Sequence, residues 1–136
     1  MALPAMTDPL AQVTLPTGAT VGYTDSGGDG PVVVFSHGLL MNHTMFAPQV
    51  EALRDGYRVI TWDERGHGEA EHEGTWSFWD SADDVLALLD HLGIEQAVLA
   101  GMSQGGFLSL RATLSAPDRV RALVLIDTQA GVEDPA

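Results

Sequence analysis

The stretch Gly101-Met102-Ser103-Gln104-Gly105 decides the fold of this chain. It lies between an apolar run, Ala97-Val98-Leu99-Ala100, and an amphipathic run over residues 107–116. A Gly-x-Ser-x-Gly pattern between a strand and a helix is the signature of a nucleophile elbow, a sharp turn that presents the serine hydroxyl at the end of a sheet. The pattern alone is weak, and a glycine-rich turn with an ordinary serine is the alternative. The strand before it and the helix after it favour the elbow.

Apolar runs and turn residues divide the rest of the chain into short elements. We predict strands at residues 11–15, 20–24, 32–36, 57–62, 96–102 and 120–127, and helices at 48–54, 77–92 and 104–116. Helices that alternate with apolar strands predict a parallel α/β sheet with helices on both faces, behind an antiparallel N-terminal hairpin. No repeat or internal boundary is visible, so we expect a single domain over residues 1–136.

The helix predicted at residues 77–92 has the clearest amphipathic pattern. Its apolar stripe consists of Phe78, Ala82, Val85, Leu86, Leu89 and Leu92, and its aspartates are Asp80, Asp83, Asp84 and Asp90. Gly93 stands where a C-terminal cap belongs. We expect the stripe to pack against the sheet and the aspartates to lie elsewhere.

Charge and composition exclude several classes of partner. The formal net charge is −13, from nineteen acidic residues and six arginines, with no lysine. Such a surface opposes binding to nucleic acid and to anionic membranes, because both require cationic patches. The absence of cysteine excludes disulfides, thiolate metal sites and a cysteine nucleophile.

The compartment is predicted from two further observations. Residues 1–9 lack the basic start and the apolar core of a secretory signal. No apolar stretch is long enough to span a bilayer. We therefore predict a cytoplasmic protein.

Two further motifs follow predicted parallel strands. His37-Gly38-Leu39-Leu40 comes after the strand at 32–36, and Asp63-Glu64-Arg65-Gly66-His67-Gly68 comes after the strand at 57–62. Open α/β sheets gather their active sites at the carboxyl ends of their strands, so we expect these motifs and the elbow to meet there. Their order, spacing and residue identities resemble the N-terminal half of the α/β-hydrolase family, over residues 13–127. The resemblance is strongest to the branch of small esterases, lactone hydrolases and cofactor-free haloperoxidase-like perhydrolases.

The resemblance implies a nucleophile, Ser103, and an oxyanion hole formed by the backbone N–H groups of Leu39 and Gln104. It implies hydrolysis of a carboxylic ester or lactone through an acyl-enzyme, with no metal or organic cofactor. Two preorganised N–H donors suit this chemistry, because they stabilise the negative charge that develops on the carbonyl oxygen during attack. A serine at the elbow, rather than an aspartate, argues against the epoxide hydrolases and haloalkane dehalogenases of the same superfamily.

The remaining polar motif residues have structural interpretations. His37 resembles the structural histidine that the family places beside the oxyanion loop, rather than a catalytic base. Asp63, Arg65 and His67 are expected to brace the glycine-rich loop by hydrogen bonds and an ion pair.

Three residues keep two interpretations each. Asp127 ends the strand predicted beside the elbow strand, which makes it a candidate triad acid, although the family usually takes its acid one strand later. Trp76 and Trp79 are expected to pack a helix N-terminus against the sheet. The alternative is that these tryptophans line an acyl pocket.

The sequence lacks the expected general base. In the family the triad runs serine, then acid, then histidine, and no histidine follows Ser103 here. The chain of 136 residues is also short for this fold, which needs on the order of 200 residues or more. Without a cap and C-terminal strands, Leu123-Val124-Leu125-Ile126 would form an apolar edge that can pair with another chain.

Three hypotheses follow from this. The chain is a piece of a serine hydrolase that a complementary C-terminal chain completes. Alternatively, it is a homo-oligomer that borrows a base, such as His72 or His67, from a neighbouring copy. The third hypothesis is a non-catalytic scaffold or interaction domain. We favour a hydrolase that acts on small-molecule esters or lactones and is completed by a second chain or copy.

Overall fold

A computed structural model describes residues 8–68 and 74–130. The strands are β1 (Ala11–Thr14), β2 (Thr20–Asp25), β3 (Val32–Ser36), β4 (Arg58–Trp62), β5 (Ala97–Met102) and β6 (Val120–Ile126). The helices are α1 (Ala47–Leu53), α2 (Phe78–His91) and α3 (Gln104–Ser115), with 3-10 turns at His43–Phe46 and Pro117–Arg119. These bounds agree with the predicted elements to within one or two residues at each end.

The six strands form one sheet in the order β1-β2-β4-β3-β5-β6. Strands β4, β3, β5 and β6 are parallel, and the hairpin of β1 and β2 joins them antiparallel through β4. The predicted α/β architecture, parallel strands with helices on both faces behind an N-terminal antiparallel hairpin, is confirmed. This order places β3 between β4 and β5, so the segments that follow these three strands leave the sheet side by side.

The central strands are buried on both faces, as the continuous apolar run at β3 predicts. Side chains alternate along the strand, so Val34 packs on one face while Val33 and Phe35 pack on the other. Helices α2 and α3 cover the face of Val34, with Leu88 and Leu108 fully buried there. Helix α1 and the turn before it cover the opposite face.

Helix α2 begins and ends where its sequence indicates. The Ser77 side chain accepts from the backbone N–H of Asp80 while the Asp80 carboxylate accepts from the backbone N–H of Ser77, a reciprocal capping box. Gly93 follows the helix with φ +68°, the left-handed conformation that favours glycine. Asp84, although it lies off the apolar stripe, is completely buried.

Strand β6 forms one edge of the sheet. Within residues 8–68 and 74–130 it pairs with β5 on one side only, and Val124, Leu125 and Ile126 are between 37% and 47% exposed. The apolar edge predicted from the sequence is therefore present in the structure. Exposed strand edges of this kind present unpaired backbone groups to another chain.

Candidate active site

The three sequence motifs meet at the carboxyl ends of the parallel strands, as predicted. His37 follows β3 directly, Asp63 follows β4, and Ser103 follows β5. Gly38 and Ser103 are near neighbours, because a Cβ built on Gly38 would lie 3.7 Å from the Cβ of Ser103. The turn after β3 and the turn after β5 therefore face each other.

The turn at Ser103 has the geometry of an elbow. Ser103 has φ +52° and ψ −116°, a combination that costs a residue with a Cβ on the order of 1–3 kcal/mol. A Cβ at Gly101 would overlap the carbonyl group of Gly105, and a Cβ at Gly105 would overlap the carbonyl group of Ser36. Both glycines are thus required for the close approach of β5, α3 and β3.

The end of β6 holds this strained turn from the other side. The backbone N–H of Ser103 donates to the carbonyl oxygen of Ile126 at 3.0 Å. The Thr128 hydroxyl donates to the carbonyl oxygen of Ser103 at 2.7 Å. The Ser103 side chain is half-buried, and it makes no hydrogen bond within residues 8–68 and 74–130.

Two backbone N–H groups near Ser103 have no acceptor in the part of the chain that the structure describes. Gln104 is the first residue of α3, a position whose N–H has no intrahelical partner. Leu39 lies in the turn after β3, which the bond from the Met41 N–H to the Gly38 carbonyl oxygen closes at 3.1 Å. Leu40 in the same turn has φ +60°.

His37 is fully buried and neutral. The backbone N–H of Glu64 donates to its Nε2 at 2.9 Å, so the ring proton is on Nδ1, which donates to the carbonyl oxygen of Gly38 at 2.8 Å. Burial lowers the pKa of His37 to about 4. Both ring nitrogens are hydrogen-bonded to backbone groups of the loops after β3 and β4. This supports the structural interpretation of this histidine.

The loop after β4 is braced by an ion pair and by hydrogen bonds. Arg65 donates from Nε and Nη2 to the Asp84 carboxylate of α2 at 2.6 and 2.7 Å. Asp63 accepts from both the backbone N–H and Nδ1 of His43 at 2.8 Å. The ring nitrogen Nδ1 of His67 lies 3.2 Å from the carbonyl oxygen of Arg65. The sequence predicted that Asp63, Arg65 and His67 brace this loop, but it did not identify Asp84 and His43 as partners.

Glu64 was not singled out from the sequence. Its side chain is 2% exposed, and its Oε1 accepts from Nε2 of Gln104 at 3.0 Å. Burial raises the pKa of Glu64 well above its usual value, and the neighbouring Asp63 charge adds to this, while the Gln104 amide and the His37 backbone amide oppose it. An acidic residue after a strand normally lies in a solvated loop, so no sequence signal pointed to this contact.

A cavity of about 630 Å³ lies beside the elbow. Its walls include Leu39, Gln104, His67, Trp76 and Trp79. Both tryptophans are partly exposed, at 39% and 49%. The sequence predicts that they pack a helix N-terminus against the sheet, whereas the structure places them on the wall of the cavity. Both candidate oxyanion residues, Leu39 and Gln104, line this cavity.

The other candidate residues are only partly located. Asp127 follows β6 with φ +45°, is exposed, and forms no hydrogen bond or ion pair within the described residues. The ring centroids of His67 and His37 are 5.0 Å apart. His72 lies outside the described residues.

The described part of the chain holds neither a metal-binding cluster nor a membrane-spanning helix. There, no group of three histidine, aspartate or glutamate side chains is arranged to hold a metal ion. Across the same residues, no helix has the length and apolar character needed to cross a bilayer.

Comparison with known proteins places the chain in a family. The family model for the alpha/beta hydrolase fold matches residues 31–136. The chain therefore belongs to the α/β-hydrolase family.

Individual relatives agree with this assignment. The chain is 39% identical over 99 residues to 3-oxoadipate enol-lactonase 1 of Acinetobacter baylyi, a match that covers 72% of this chain and 37% of that protein. It is 36% identical over 110 residues to 2-(acetamidomethylene)succinate hydrolase of Mesorhizobium japonicum, covering 80% of this chain and 40% of that protein. The chain thus spans less than half the length of these relatives.

Solved structures match nearly the whole chain. The enol-lactonase from Burkholderia xenovorans LB400 superposes with a TM-score of 0.85 at 32% identity, covering 92% of this chain and 49% of that one. A hydrolase from Pseudomonas aeruginosa PA01 gives a TM-score of 0.86 at 32% identity, covering 93% and 48%.

Proposed function

We propose that this chain carries the nucleophile and the oxyanion hole of a serine hydrolase that acts on carboxylic esters or lactones. The observation that supports this most is the geometry at Ser103. Its half-buried hydroxyl has no hydrogen bond within the described residues, and it lies at a strained turn beside two N–H groups without acceptors. The names of the relatives, which include two enol-lactonases, support the substrate class.

In the proposed reaction the Ser103 hydroxyl oxygen attacks the acyl carbonyl, and a general base takes its proton. The N–H groups of Leu39 and Gln104 stabilise the oxyanion, each with a contribution on the order of 3 kcal/mol. The C–O bond to the leaving alcohol then breaks as that oxygen receives the proton. Water hydrolyses the acyl-enzyme in a second addition and elimination. In a lactone the leaving alcohol stays attached to the acyl group.

The general base is the missing part of this proposal. His37 is engaged through both nitrogens, and no histidine follows Ser103 in the sequence. We propose that a second chain or a second copy supplies the base and pairs with the exposed edge of β6. His67 on the cavity wall is a candidate base for such an arrangement, and Asp127 is a candidate acid. Self-association and the cytoplasmic location stay predictions.

The experiment measures hydrolysis by each assembled species. Native mass spectrometry identifies the monomer, the homo-oligomer and the complex with an added C-terminal segment of a related hydrolase. Each species is then assayed with p-nitrophenyl acetate and a simple lactone. We expect hydrolysis in an assembled species and its loss in Ser103→Ala at unchanged folding. Background rates in every species would refute the proposal and favour the alternative, a non-catalytic scaffold or interaction domain.

A further inference from the structure

Glu64 contacts Gln104, which carries one candidate oxyanion donor, and His37, which precedes the turn that carries the other donor, Leu39. On one side its Oε1 accepts from the side-chain amide of Gln104 at 3.0 Å. On the other side its backbone N–H donates to Nε2 of His37 at 2.9 Å. All three residues are buried. Glu64 therefore joins the loops after β3 and β4 to the start of α3.

The contact with His37 continues to the donor group of Leu39. Nδ1 of His37 donates to the carbonyl oxygen of Gly38 at 2.8 Å. That carbonyl and the Leu39 N–H belong to the same planar peptide group and point in opposite directions. Anchoring the oxygen toward His37 therefore turns the Leu39 N–H away from it. The orientation of this N–H depends on the ring of His37.

We propose that Glu64 is a positioning residue that orients both candidate oxyanion donors, Leu39 through His37 and Gln104 through its side-chain amide. The catalytic consequence rests on the proposed function, whereas the effect on the two amide groups does not. Removal of the Glu64 carboxyl group leaves the Gln104 side chain without its acceptor. It also removes one of the contacts that hold the backbone N–H of Glu64 against Nε2 of His37.

The electrostatics of Glu64 suit this role. Burial raises the pKa of its carboxyl group, which favours the neutral acid. This shift towards the protonated form reduces the negative charge beside the start of α3, where the oxyanion would develop. Its Oε2 lies 3.2 Å from Nδ1 of His37 and has no hydrogen bond within the described residues. The ionisable groups that face the pair are Asp63, His43 and His67.

The test uses the full chain with Glu64→Leu, the isosteric Glu64→Gln and a control, Thr61→Val. Thr61 is a buried residue of β4 whose hydroxyl group hydrogen-bonds to the hydroxyl group of Thr24, outside this network, so its replacement reports the general effect of removing a buried polar group. The measurements are the backbone amide chemical shifts of Leu39 and Gln104, and kcat and KM for ester hydrolysis by the assembled species. We expect Glu64→Leu to move both amide signals, and Glu64→Gln and Thr61→Val to leave them in place.

In the kinetic arm, Glu64→Leu should lower kcat by about tenfold to a hundredfold, because the loss of one oxyanion donor costs on the order of a hundredfold or more. KM should change less than threefold, and Glu64→Gln should restore kcat to within about threefold. Equal losses in kcat for the leucine and glutamine variants would overturn the proposal. So would a Leu39 amide that does not respond to Glu64→Leu.

A second variant covers the outcome in which Glu64→Leu does not fold. Gln104→Met removes only the side-chain donor to Glu64. We expect it to move the amide signal of Leu39 through Glu64 and His37, and an unchanged Leu39 signal would overturn the proposal. The amide signals test the positioning role of Glu64 even where no species hydrolyses an ester. Failure of the proposed function is therefore distinguishable from failure of the positioning proposal.

Discussion

The backbone N–H of Ser103 donates a hydrogen bond of 3.0 Å to the carbonyl oxygen of Ile126. Ser103 is the candidate nucleophile, and Ile126 is the last residue of the exposed edge strand β6. The strained turn after β5 is therefore held by the strand that is least covered. Any partner that pairs with the edge of β6 would also stabilise the conformation of Ser103.

The strain at Ser103 predicts a trade-off between stability and activity. Its φ of +52° suits glycine better than a residue with a Cβ. We expect Ser103→Gly to have a free energy of unfolding about 1 kcal/mol higher than Ser103→Ala, while both variants lose hydrolysis. Urea unfolding of the two variants measures the difference. Equal stabilities would show that the turn is not strained.

Gly105 permits the close approach of α3 to β3. A Cβ at this position would overlap the carbonyl group of Ser36, whereas a Cβ at Gly56 would meet nothing within 4 Å. We expect Gly105→Ala to destabilise the fold by about 3 kcal/mol and Gly56→Ala to change it by less than about 0.5 kcal/mol. Thermal unfolding compares the two variants. A tolerated alanine at 105 would contradict the packing described for the elbow.

The buried ion pair between Arg65 and Asp84 fastens the loop after β4 to helix α2. Asp84 is fully buried and also accepts from the Thr17 hydroxyl at 2.6 Å. We expect Asp84→Ala to cost about 3 kcal/mol, because a buried charge loses its bidentate partner. The matched control is Asp90→Ala, which removes an exposed carboxylate that pairs with Arg119 and should cost less than about 1 kcal/mol. Similar costs in urea unfolding would contradict the structural role of Asp84.

The pKa of His37 predicts how stability depends on pH. The ring is protonated below about 6.5 in the unfolded chain, but only below about 4 in the folded protein. Between these values the unfolded state binds the additional proton, so stability falls as the pH is lowered through this window. The loss amounts to about 3 kcal/mol at most.

The comparison of wild type with His37→Gln isolates this effect. Glu64, whose pKa is raised, acts in the opposite direction, but it is present in both proteins. Denaturant unfolding at pH 7 and at pH 4.5 should therefore show a smaller decrease in stability for the variant. An equal decrease in the two proteins would mean that the folded ring of His37 takes up protons normally.

The sequence predicted the elements and the meeting of the motifs because these depend on local pattern and on the rules for parallel sheets. Continuous apolar runs identify buried strands such as β3, and the glycines around Ser103 identify the turn. The sequence did not predict which residues pair with individual charged side chains. Asp84 lies off the apolar stripe of α2, and its burial depends on Arg65, which is distant in sequence. The contact of Glu64 with Gln104 was not predicted for the same reason. It forms only because the start of α3 lies beside the loop after β4.

The most direct measurement of the central claim is covalent labelling of the assembled protein with a fluorophosphonate, followed by peptide mass mapping. We expect a single phosphonyl adduct on the hydroxyl of Ser103 and none in Ser103→Ala. An adduct on another residue, or the absence of any adduct in a folded assembly under conditions that label a known serine hydrolase, would contradict it.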